Sequence, residues 1–91
     1  MTTLSAKIKL YITTSRSLKD KRAIRQSVIS KTKQKFNVAI AEVDCQELHQ
    51  ALALGVAVVS ADGAHAQTML DEIIRFIEET ADAETIRVEF I

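Results

Sequence analysis

From Leu4 to Ile12 the apolar residues fall on alternate positions (Leu4, Ala6, Ile8, Leu10, Ile12), with Ser5, Lys7, Lys9 and Tyr11 between them. A period of two is that of a half-buried strand. The loop Thr13–Arg16 follows, and Ser17 with Asp20 three residues later has the S-x-x-D form of a capping box. The period then changes. At 100° per residue, Leu18, Ile24, Val28, Ile29 and Thr32 share one stripe, and Lys19, Arg22, Gln26 and Lys33 lie together away from it. The spacing predicts a helix of about 18 residues. Lys21 and Arg25 fall inside the apolar stripe. The simplest expectation is that their stems pack while their charged heads snorkel out at its end; the alternative is that they line an anion pocket.

Phe36–Val43 and Leu52–Val59 are β-prone and apolar on both registers. The intervening DCQELHQA has no Asn-Gly or Asp-Gly turn. A hairpin with an irregular tip over residues 44–51 is expected, with a short helix placing Leu48 and Leu52 at i,i+4 as the alternative. One register of the hairpin is small: Ala39, Ala41, Gly55 and Ala57. Small residues on a sheet face favour close approach by a ligand or backbone, or by a tightly packed helix. Asp62 then caps a helix from Gly63 to about Thr80. Its stripe of Ala66, Met69, Leu70, Ile73, Ile74, Phe76 and Ile77 spans about 160°, with Asp71, Glu72, Glu78 and Glu79 on the far side. Thr85–Ile91 alternates again. The order βαββαβ predicts an α+β, ferredoxin-like sandwich. A single domain over residues 1–91 has a four-stranded antiparallel sheet, both helices on one face, and an open opposite face.

Composition changes the picture in two places. At 47% hydrophobic, the 91 residues can build one core without a staple, and a lone Cys45 makes no internal disulfide. That usage, with no apolar run of signal-peptide or membrane length, leads us to expect a cytoplasmic protein with no membrane contact. The second place is charge. The total is zero, yet residues 1–35 hold ten cations against Asp20, and residues 36–91 hold eleven acids against Arg75 and Arg87. Such asymmetry suits a polyanion partner, an acidic partner, or two halves that neutralise each other.

The blocks SRSLKDKR, FNVAIAEV and LGVAVVS make the chain similar to the YlxP-like family, small bacterial proteins of unknown function. The resemblance runs from Ile8 to about Glu79. It rests on Ser15, Ser17, Leu18, Lys19, Lys21, Arg22, Phe36, Asn37, Val38, Ala41, Glu42, Val43, Gln50, Leu54, Gly55 and Ser60. It implies a ferredoxin-like fold, a cytoplasmic location, and genes often found beside translation and ribosome-maturation factors. No catalytic residues are assigned to that family, so none carries over. The chain departs from it at Arg25, where relatives tend to have an apolar residue. At the tip it reads ELHQAL in place of D-L-W-Q-R-A, so His49 replaces an aromatic and Ala51 a basic residue.

Catalytic chemistry finds little support. Glu42, Asp44, Cys45 and His49 sit close together but match no tetrahedral zinc spacing, and His65 lies on another element. Cys45 lacks a recognisable base. Small acylphosphatases share this strand order and an arginine in the first loop, but their glycine-rich loop is missing here. We therefore expect no enzyme, metal or cofactor. Arg16, Ser17 and Lys19, at a helix N-terminus with free N–H groups, are candidates for binding a small anion. Arg16, Lys19, Arg22, Lys31 and Lys33 are candidates for contacting the backbone of structured RNA, of which ribosomal RNA is the expected kind. Against this stands intramolecular pairing, with the basic helix lying beside the acidic one. A second expectation, from another class, is a module that forms a homodimer through Ala39, Ala41, Gly55 and Ala57 on the open sheet face.

Overall fold

The computed structural model describes all residues from Met1 to Ile91. The order is β1 (Thr2–Tyr11), α1 (Leu18–Lys35), β2 (Ala39–Asp44), β3 (Ala51–Ser60), α2 (Gly63–Ala81) and β4 (Glu84–Phe90). The strands form one antiparallel sheet in the order β2-β3-β1-β4. Both helices cover the same face, α2 over β1 and β3 and α1 beside it toward β2. This is the ferredoxin-like sandwich expected from the element order.

Strand parity decides which side chains enter the core. Ala6, Ile8 and Leu10 of β1, Leu52, Leu54, Val56 and Val58 of β3, and Ile40 of β2 are buried beneath the helices. They meet Val28 of α1 and Ala66, Leu70, Ile73 and Ile77 of α2. The complementary register faces outward. Ala39 stands opposite Ala57, and Ala41 opposite Gly55, so the four small residues do share the open face.

The helix ends are capped as the sequence indicates. Ser17 Oγ accepts from the Asp20 N–H at 3.1 Å, and the Asp20 carboxylate reaches back to the Arg16 N–H at 3.1 Å. Asp62 Oδ1 accepts from the Ala64 N–H at 3.0 Å. At the far end of α2, Asp82 adopts the left-handed conformation (φ 49°) and donates its N–H to the carbonyls of Glu78 and Glu79, satisfying groups that the helix leaves open.

One boundary moves. The strand expected from Phe36 begins at Ala39, because Phe36 caps α1 and turns its ring onto Phe76 of α2, with centroids 5.5 Å apart in an edge-to-face arrangement. The β2–β3 connection is the irregular hairpin tip, not a helix. Cys45 takes φ 61°, and the Leu48 N–H donates to the Cys45 carbonyl at 3.1 Å.

A candidate nucleic-acid interface and the ion cluster behind it

Helix α1 divides its cations into two populations. Lys19, Arg22, Lys31 and Lys33 are exposed, as is Arg16 in the loop before the helix. The four ion pairs of the molecule are Lys7–Asp44, Lys21–Glu42, Arg25–Glu42 and Arg87–Glu89, so none of those five cations has an acidic partner. The expectation that α1 and α2 neutralise each other is therefore not met. At the C-terminal end of α1, Phe36 packs edge-to-face on Phe76 of α2, and the Lys35 ammonium lies 4.8 Å from the Phe76 ring centroid in a hollow shared with Glu72 and Glu79, without forming an ion pair. Asp71, Glu72 and Glu79 point to solvent.

The exposed cations do not all share a surface. Lys19, Arg22 and Lys33 fall within about 60° of one another around the axis and run about 21 Å along it. Lys31 is turned by roughly 120–180° from that group. Arg16 lies at the N-terminal end of the same helix. The small-anion seat expected from Arg16, Ser17 and Lys19 already has an occupant: Asp20 places its own carboxylate at this N-terminus, where an external anion would compete with it.

Lys21 and Arg25 behave differently from expectation. Lys21 does not snorkel; it is 1% exposed. Its ammonium donates to the carbonyls of Cys45 (2.5 Å) and Leu48 (2.8 Å) and lies 3.0 Å from Glu42 Oε2. Oε2 faces the ammonium as a close ion pair, while Arg25 Nη1 donates to Glu42 Oε1 at 3.0 Å. The Glu42 side chain is 8% exposed and Arg25 31%. Burial alone would push the Glu42 carboxyl up; the bonds and fields of Lys21 and Arg25 outweigh it and hold the group below its usual 4.5. Two cations in an apolar stripe are thus resolved by one carboxylate on the core-facing register of β2. The sequence carried that signal, since Glu42 shares parity with Val38 and Ile40.

On the open face, Ala39, Ala41, Gly55 and Ala57 floor a groove of about 530 Å³, closed at its sides by Val43 and Ile91. A Cβ at Gly55 would stand 2.8 Å from Val43 Cγ1, so any side chain there would oblige the exposed Val43 to move. Charges border the groove. Lys7 donates to Asp44 at 2.9 Å, which raises the Lys7 pKa and, together with the Cys45 N–H, lowers that of Asp44.

A family model described as "Protein of unknown function (DUF503)" matches residues 3–90. The chain belongs to the DUF503 family. Within this family's reach lies the "Uncharacterized protein YlxP" of Bacillus subtilis (strain 168), 32% identical over 68 residues that cover 75% of this chain and 74% of the relative. The YlxP-like resemblance seen in the sequence therefore holds. Among solved structures, a de novo designed protein with a ferredoxin fold, determined by solution NMR, superposes with a TM-score of 0.61. It covers all of this chain and 82% of its own at 16% identity, a likeness that speaks for the fold alone.

The S-x-S-L-K-x-K-R block is partly architectural. Ser15 is buried and donates to the Ser17 carbonyl, Ser17 caps α1, and Lys21 holds the tip. Lys19 and Arg22 make no contact of this kind. No helix of the molecule is long and apolar enough to cross a membrane.

Proposed function

We propose that this DUF503 domain is a non-enzymatic binding module that touches structured RNA, ribosomal RNA being the expected target, through the outer face of α1. One observation carries the reading: Lys19, Arg22 and Lys33 form a row of exposed cations with no acidic partner, continued by Arg16 at its N-terminal end. Like charges kept unpaired on one face repel one another and favour a polyanion that releases counterions on binding. Contacts of this kind position a phosphate backbone without reading bases.

A salt series tests it. Replacing Lys19, Arg22 and Lys33 together by Ala should weaken binding to purified ribosomal subunits at low salt. The log–log slope should flatten by about 0.7–0.9 for each lost contact. A folded triple variant with unchanged affinity and slope would remove α1 as the interface. A second reading, self-association through the open sheet face, is favoured by the apolar groove over Ala39, Ala41, Gly55 and Ala57.

A further inference from the structure

The hairpin tip is held more firmly than its own composition explains. Residues 45–50 contribute nothing to the apolar core, and Leu48 is left 55% exposed. Yet the buried Lys21 ammonium spends two of its protons on carbonyls of this turn. Packed apolar side chains in place of the whole Lys21, Arg25 and Glu42 cluster would serve stability as well or better. What the ammonium adds is a fixed shape for the turn. The tip is tied a second time where the Ile12 N–H donates to the Gln50 carbonyl at 2.8 Å, so the end of β1 and the start of β3 close beneath it.

This arrangement brings Tyr11 against the tip. Tyr11, 38% exposed, lines a hollow of about 280 Å³ with Glu47, Leu48, His49 and Gln50, floored by Ala51. The lining of this hollow includes two flat rings, Tyr11 and His49, an apolar side chain, Leu48, and the amide of Gln50. The sequence alone left the tip without an aromatic; β1 supplies one. Lys9, without an ion-pair partner, lies two residues from Tyr11 on the same face of β1. Arg16 and Lys19 begin the basic row at this same end of the molecule, where the β1–α1 loop leaves the sheet.

We infer that the hollow formed by Tyr11, Leu48, His49 and Gln50 is a seat for one unpaired nucleobase of the RNA whose backbone α1 engages. The inference rests on the RNA reading and names the feature such an RNA must present: a loop, bulge or end. Its components match what unpaired bases require, which is a π-face to stack on, a polar group at the base edge, and cations nearby for the flanking phosphates. A single base fits the observations better than a stacking sheet, because Tyr11 is the only aromatic on the open face of β1.

Two fluorescein-labelled RNAs of equal charge distinguish the possibilities, one a hairpin with an unpaired loop and the other a blunt duplex. The wild-type protein should bind the hairpin about 5- to 150-fold more tightly. Tyr11→Leu should abolish that preference while leaving duplex affinity and its salt slope unchanged. His49→Ala, at an exposed turn position, should reduce the preference too and guards against a folding defect in the first variant. Equal binding of both RNAs, or a preference that survives both substitutions, overturns the base seat but leaves the backbone reading standing. Failure to bind either RNA overturns both.

Discussion

Burying an ammonium costs several kcal/mol unless its protons are engaged, and at Lys21 two carbonyls and a carboxylate engage them. Removing the head group by Lys21→Met would leave Glu42 buried with only the half-exposed Arg25, and would strip both tip carbonyls of their donor. The expected loss is about 3–5 kcal/mol, a large share of the roughly 5–15 kcal/mol that holds a small domain together. Chemical denaturation measures it. Adding Glu42→Leu should recover only part, because the carbonyls of Cys45 and Leu48 stay unsatisfied; full recovery would mean that the turn needs no donor. Acid should act on the same cluster. Glu42 has its pKa lowered in the fold, so its stabilisation is complete above the usual 4.5 and is lost as pH falls through the depressed value. The melting temperature of the wild type should therefore drop below about pH 4.5, and that of Glu42→Gln should fall less over the same window. Asp44 also has a lowered pKa but is exposed; its share should vanish in high salt, whereas the Glu42 share persists. A slope equal in both proteins at high salt would show that Glu42 contributes nothing. Periodicity alone could flag Lys21 and Arg25 as misfits without saying where their charges go, because their partner lies on another element and its side is fixed by strand parity.

At the level of elements, most of the architecture was written in local patterns. The period-two runs became β1 and β4, the continuous apolar run Leu52–Val59 became the body of β3, and the change of period at Ser17 marked the start of α1. Ser17 with Asp20, and Asp62, cap the helices by the bonds their spacing implies. What local pattern did not carry was the tip, whose shape comes from an ammonium on α1, and the start of β2, delayed because Phe36 packs on Phe76. The sheet edges also bear on what the domain can join. On β2, the bulge at Val43 and the inward-pointing Glu42 discourage pairing with another strand. On β4, a bulge near Thr85 and the charges of Glu84, Arg87 and Glu89 do the same. Any association through the sheet is thereby directed to its open face. Small residues floor that face on β2 and β3, while Lys7, Lys9, Arg87 and Glu89 occupy β1 and β4.

Over the whole molecule, the division of charge seen in the sequence survives folding. Only three ion pairs join the basic first part of the chain to the acidic remainder, and all of them involve Lys7, Lys21 or Arg25. The row on α1 has no acidic partner and lies on the opposite side of the sheet from the groove. A stable dimer covers about 800 Å² of each partner, roughly a seventh of the 5407 Å² that this chain exposes. The groove by itself is smaller than that, so a face-to-face pair must also cover Val59, Ile91 and part of the charged strip. The desolvation of those charges makes a weak association the expected outcome. Ala57 sits opposite Ala39 and Ser5 at the centre of the apolar half. Ala57→Arg would place a long cation in the contact while pointing it into water in the monomer. Sedimentation at high micromolar concentration should then show a dimer for the wild type and a folded monomer for the variant. A wild type that stays monomeric at that concentration removes self-association through this face from consideration.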